Sequence, residues 1–95
     1  MITVFMFYEN LEYLINLSNK FVALHLNIRL LGLDQYLSPI SIRFCQSHKP
    51  NIIICGTSYN STLEKLLNYK YYSLNIPNES QTTTTLILNQ LNKLS

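Results

Sequence analysis

Residues 37–59, L-S-P-I-S-I-R-F-C-Q-S-H-K-P-N-I-I-I-C-G-T-S-Y, decide how the rest of the chain is read. This stretch holds two of the three prolines, both cysteines and the longest β-branched run, Ile52-Ile53-Ile54. Isoleucine is stiff at its first side-chain torsion and favours extended backbone. From Ile40 to Phe44 apolar and polar residues alternate (Ile40, Ser41, Ile42, Arg43, Phe44), the pattern of a half-buried strand. Pro39 fixes the entry, and Pro50 belongs at an edge or a bulge because it lacks a backbone donor. Taken locally, 47–50 is a turn between two strands.

Ninety-five residues make one domain, 1–95, and a chain this short is marginal alone because it buries only about 60% of its unfolded surface. Charged residues are 13% of the chain, about half the usual ~25%. Aromatic residues reach 12%. Few charges and many aromatics describe one piece of a larger assembly. The net charge of +2 is too small to argue nucleic-acid binding by itself. Two cysteines make no disulfide framework, and reduced thiols in an intracellular compartment are expected. No window of about 18 apolar residues exists, so no membrane insertion is expected, and no removable targeting peptide is visible. The chain is rich in Asn, Ile, Leu, Tyr and Thr and carries two glycines, a bias typical of an A/T-rich, organellar genome.

Outward from the central stretch, I-T-V-F-M-F-Y at 2–8 reads as a strand with two largely apolar faces, hence a central strand or one that meets a partner. Asn10 is the expected N-cap of a helix over about 11–25, whose apolar stripe runs through Leu11, Leu14, Ile15, Phe21 and Val22. Residues 27–33 fit either a strand or a continued helix. Past Gly56, T-S-Y-N-S is turn chemistry, then a short helical turn around Leu63–Leu67 precedes a strand over 69–76. Ser80 is placed to cap a last helix carried by Leu86, Ile87, Leu91 and Leu94. Strand, helix, strand, strand, helix argues an α+β domain with its helices on one sheet face.

These landmarks resemble ribosomal protein S-ten of the small subunit. S-P-I-S-I-R at 38–43 stands where that family carries G-P-I-P-L-P; Pro39 and Ile40 match, Ile42 is a conservative change, and Ser38, Ser41 and Arg43 depart. I-I-I-C-G-T-S-Y-N at 52–60 is similar to the family's apolar strand followed by S-P-H-V-N, with Asn60 matching and Ser58 replacing the histidine. Pro77, the threonines after it and the 86–94 helix resemble P-T-x-x-T-V-D-A-L. The resemblance implies a ferredoxin-like sheet with two helices on one face and a protruding long β-hairpin over approximately 38–76. In it, 40–56 becomes one long strand with a bulge near Pro50 and a tip near 57–67. The family's last strand is lacking here, which leaves the edge of 2–8 open for another chain to cover. The resemblance also implies a non-enzymatic structural constituent of the small-subunit head.

The chemistry-bearing residues are sparse. Arg43, His48, Lys49, Lys65 and Lys70 cluster against one acid, Glu64, and are the candidate RNA-phosphate contacts. Tyr59, Tyr69, Tyr71 and Tyr72 interleave with them and have the chemistry to stack on unpaired bases. The plainer reading is a solvated basic hairpin whose tyrosines pack on the sheet. Pro39, Ile40 and Ile42, with Phe5 and Phe7 on the first strand, are the candidate protein contacts. Cys45, His48 and Cys55 lack a fourth metal ligand unless His25 joins them, so no metal is expected, and the cysteines read as small core residues. No paired carboxylates, nucleophile–base pair or phosphate loop appears, so no catalytic residue, cofactor or small-molecule substrate is expected. The expected role is a structural protein of a mitochondrial, organelle-encoded small ribosomal subunit, bound to rRNA and neighbouring ribosomal proteins. The alternative is a protein-only accessory subunit of a mitochondrial respiratory membrane assembly.

Overall fold

The computed structural model describes residues 1–94. Strands and helices alternate without exception: β1 (Ile2–Phe7), α1 (Leu11–Ala23), β2 (Ile28–Asp34), α2 (Pro39–His48), β3 (Ile52–Gly56), α3 (Thr57–Leu66), β4 (Tyr72–Ile76) and α4 (Gln81–Leu94). The four strands form one sheet in the order β2-β1-β3-β4, and every neighbouring pair is parallel. The fold mixes α and β, as expected, but the sheet is parallel with helices on both faces. Neither the ferredoxin-like arrangement nor a protruding hairpin over 38–76 is found among the described residues.

The sidedness follows from the strand period of two. Val4 and Met6 of β1, Ile52 and Ile54 of β3, and Leu74 and Ile76 of β4 face one way, against Leu17 and Phe21 of α1 and Ile87 and Leu91 of α4. Phe5, Phe7, Ile53 and Cys55 face the other way, against Cys45 of α2 and Leu63 and Leu67 beside α3. The chain leaves β1 toward β2 over the first face and returns past β1 to β3 over the second. Direction and face change together, as a single crossover hand requires. A sheet covered on both sides needs strands that are apolar throughout, which β1 and Ile52–Cys55 supply.

Two local readings are overturned. Residues 40–44 are helical because the cap outweighs the alternation. Ser38 and Ser41 form a reciprocal capping box, and Pro39 occupies the first helical turn, where its missing N–H costs nothing. Ser41 and Cys45, four apart, then point inward. Lys49 ends α2 in the left-handed region, with φ 48°. Residues 57–61, expected as a turn at a hairpin tip, begin α3 instead. The edge of 2–8 is not open either: β1 lies between β2 and β3, so no other chain is needed to cover it. Asn10 and Ser80 do cap α1 and α4, accepting from the Glu12 and Thr83 amides at 2.9 and 3.2 Å. The ambiguous segment resolves as strand β2.

Candidate functional site

A parallel sheet has two chemically different ends, because every strand starts at one and every helix starts at the other. At the carboxyl end, β1 and β3 are neighbours whose onward connections run in opposite directions. Open α/β sheets place ligand crevices at that point, and here a crevice of about 280 Å³ opens. Phe7, Tyr8 and Tyr59 wall it, and Glu9, Gln35, Ser58, Asn78 and Glu79 rim it, with no lysine or arginine in the lining. Tyr59 packs edge-on against Phe7, centroids 5.6 Å apart, and donates its hydroxyl to the Gln35 carbonyl at 3.3 Å. The Glu79 carboxylate accepts the amide N–H groups of Glu9 and Asn10 at 2.8 and 2.7 Å. Those donors, at a helix N-terminus, are what an incoming phosphate would seek. The chain's own carboxylate already holds them. The crevice therefore offers acceptors and aromatic faces, and it repels anions.

At the amino end the charge is opposite. Lys20, Lys65 and Lys93 lie in the last turns of α1, α3 and α4. Lys49 and Lys70 lie in the loops that feed β3 and β4, and Arg29 is the second residue of β2. Six of the seven lysines and arginines thus gather at this end, while Glu9, Glu12, Asp34 and Glu79 occupy the other. Helix dipoles favour part of this arrangement, since cations suit C-terminal turns. Arg29 and Lys70 belong to no helix and are not explained that way. The loops are tied together. Asn51 accepts from the Thr3 amide through its side chain at 2.9 Å, and its carbonyl accepts from the Tyr72 amide at 2.9 Å. Tyr69 donates its hydroxyl to the Pro50 carbonyl at 2.9 Å, and Gln46 on α2 donates to the Leu66 carbonyl at the end of α3 at 3.0 Å. These bonds set His48, Lys49, Lys65 and Lys70 on one rim, all four exposed.

No family model, curated protein or solved structure matches the chain. Its own geometry is what places the expected residues. Of the five candidate phosphate contacts, four converge on the amino-end rim. Arg43 stands apart on α2, its Nε donating to the Pro39 carbonyl at 3.4 Å. Lys20, Arg29 and Lys93 join the basic end unforeseen, because only the parallel topology brings them there.

The tyrosines do not form the expected stacking platform. Tyr59 belongs to the crevice at the far end. Tyr69 and Tyr71 pack on each other with centroids 5.4 Å apart, and of the expected set Tyr72 alone is an exposed ring, its hydroxyl 3.3 Å from Gln90. Of the candidate protein contacts, Phe5 and Phe7 are core residues, buried because β1 is central. Pro39 and Ile40 are exposed on α2, and Ile42 is half-buried.

Cys45 and Cys55 are free thiols inside the α2/α3 layer. Burial pushes both up to about 11, so they are thiols, not thiolates, at neutral pH. His48 does not join them; its ring stacks on Phe44 at 4.0 Å, with Nδ1 3.1 Å from the Phe44 carbonyl. His25 is exposed and left-handed at the end of α1, with φ 55°. The crevice and Glu79 had no local signal in the sequence, since Glu79 meets Asn10 across 69 residues. Among the described residues no helix is long and apolar enough to cross a membrane.

Proposed function

We propose that this chain is a non-catalytic protein component of a ribonucleoprotein and binds RNA phosphates with the amino end of its sheet. The assembly in which we place it is the small ribosomal subunit of an organelle, with rRNA and neighbouring ribosomal proteins as partners. The observation that carries the reading is the convergence of His48, Lys49, Lys65 and Lys70 on one rim, with Arg29 at the same end of the sheet and four of the five acids at the opposite end, Glu64 in the last turn of α3 being the exception. Separating charge in this way gives a molecule of low net charge a strongly positive pole. Such a pole recognises backbone phosphate and shape, with no base code. The hairpin correspondences of the S-ten family do not support it, because their positions lie on α2, β3 and α3. The organellar setting draws on the composition and on the carboxyl-terminal resemblance, Pro77 through the last helix.

A protein-only adaptor role in a respiratory membrane assembly is the second reading, favoured by the exposed apolar Ile40 and Phe44. Sedimentation of the tagged protein from its own cells, with and without ribonuclease, separates the two. Co-migration with small-subunit rRNA that is lost on ribonuclease treatment is the expected result. Migration in a ribonuclease-insensitive, detergent-soluble complex would overturn the RNA reading.

A further inference from the structure

We infer that two copies of this chain pair through β2, antiparallel about a two-fold axis perpendicular to the sheet, to make one continuous eight-stranded sheet. The sheet has two edges, β2 and β4, and they differ in character. At β4, Ser73 bonds Asn60 at 2.6 Å and Tyr72 bonds Gln90, so polar side-chain pairs lie along the strand, and the exposed apolar residues of its flanking helices are Leu66 (42%) and Leu86 (41%). At β2 the flanks are apolar in both helical layers. On one side, Ile40 (74% exposed) and Phe44 (40%) of α2 border a groove of about 240 Å³ floored by Leu31 and Leu33. On the other side lies α1. Its residues 13, 16, 20 and 23 face α4 across a shared groove, and Leu17 and Phe21 point inward. By the helical period, Leu11 then points sideways, past β2, Ile15 points outward, about 160° around the helix from Leu17, and Val22 lies between these two directions. They are 55%, 50% and 72% exposed. An open, apolar-flanked edge strand is a pairing template that stable monomers avoid.

Charge selects a second copy, in one orientation. Arg29 and Asp34 stand at opposite ends of β2. Antiparallel pairing sets the basic end of each strand beside the acidic end of the partner's strand. Parallel pairing sets like beside like. A two-fold contact is also self-complementary: each copy brings the same strand and the same apolar flanks, and the sheet closes without running on into a fibre. The two basic ends then lie at opposite extremes of the dimer and remain open.

Analytical ultracentrifugation of the full chain over a wide concentration range tests the pairing, together with a mixed cross-linking experiment. The expected result is a dimer mass that falls to the monomer mass in Ile40→Glu/Val22→Glu. Both residues are exposed, so a far-ultraviolet spectrum like that of the parent confirms that the variant folds. Mixed Arg29→Cys and Leu33→Cys chains cross-link to each other more than Arg29→Cys does to itself. A monomer at every concentration, a dimer indifferent to the two substitutions, or preferential 29–29 cross-linking would each overturn the proposal.

Discussion

The carboxylate of Glu79 holds the first turn of α1, accepting the Asn10 amide N–H at 2.7 Å while its other oxygen takes the Glu9 amide at 2.8 Å. Asn10 in turn caps Glu12, so three amides at the entry to α1, those of Glu9, Asn10 and Glu12, are satisfied from two side chains. Hydrogen bonds to a charged acceptor contribute about 1.5–3 kcal/mol each when buried, and less in this exposed loop. Glu79→Ala is expected to cost about 1–2 kcal/mol in urea unfolding, and Glu79→Gln roughly half that, since one acceptor survives without the charge. Equal stability of Glu79→Ala and the parent would show that water replaces the carboxylate at no cost.

The RNA reading makes a quantitative salt prediction. Each phosphate neutralised on a single strand contributes a slope of about 0.7 in log affinity against log salt, so the three rim lysines give roughly 2. Lys49→Glu with Lys65→Glu should lower that slope by about 1.4 and weaken binding to an unstructured RNA, while the melting temperature stays put. Fluorescence anisotropy at several salt concentrations reads the slope. An unchanged slope would remove the amino-end rim from the RNA interface.

Capping decides α2. Removing the Ser38 hydroxyl deletes the acceptor for the Ser41 amide at 3.2 Å, and Ser38→Ala should cost about 1 kcal/mol. Ser38→Asp should restore most of that loss, because a carboxylate also accepts from the third helical amide. Thermal unfolding of the three proteins checks the order.

Tyr71 carries a hydroxyl that is buried without a hydrogen-bond partner. An unpaired buried hydroxyl is a net cost, so Tyr71→Phe should stabilise the fold by up to about 1 kcal/mol. A loss of stability on that substitution would mean that the hydroxyl is satisfied in solution.

The buried thiols fix the alkaline limit. Cys45 and Cys55 have ordinary values near 9, raised by burial to about 11 in the fold. An acid whose proton is held more tightly when folded contributes nothing to the pH slope below its unfolded value. Stability should therefore be flat up to about pH 9 and fall as the pH climbs through about 11. Tyr69, raised also by burial, adds to the same fall. Unfolding free energies across this range, with the double Cys→Ser variant as control, measure the thiol share. Alkylation of the native chain at neutral pH should be far slower than of the unfolded one.

Much of the element pattern was legible locally. Asn10 and Ser80 cap their helices by short-range bonding, and the doubly apolar runs at 2–7 and 52–55 announce strands covered on both faces. The direction of pairing was not legible: the resemblance puts 52–56 in a long β-hairpin, and only the structure sets β3 parallel to β1 and β4. The helix at 39–48 was hidden because Ile40, Ile42 and Phe44 satisfy a strand period, while the capping box that overrides it depends on Ser38 and Ser41 acting together. Sequence by itself thus determined where apolar surface had to be buried, how α1 and α4 begin, and that charge was scarce. Tertiary structure alone decided what that charge does. Parallel strands put every helix start at one end and every helix finish at the other, and so sort residues that are far apart in the chain into an acidic end and a basic end. Glu79 reached Asn10, and Lys49 and Lys70 came to the same end of the sheet, through strand pairing over long separations, which no local pattern encodes.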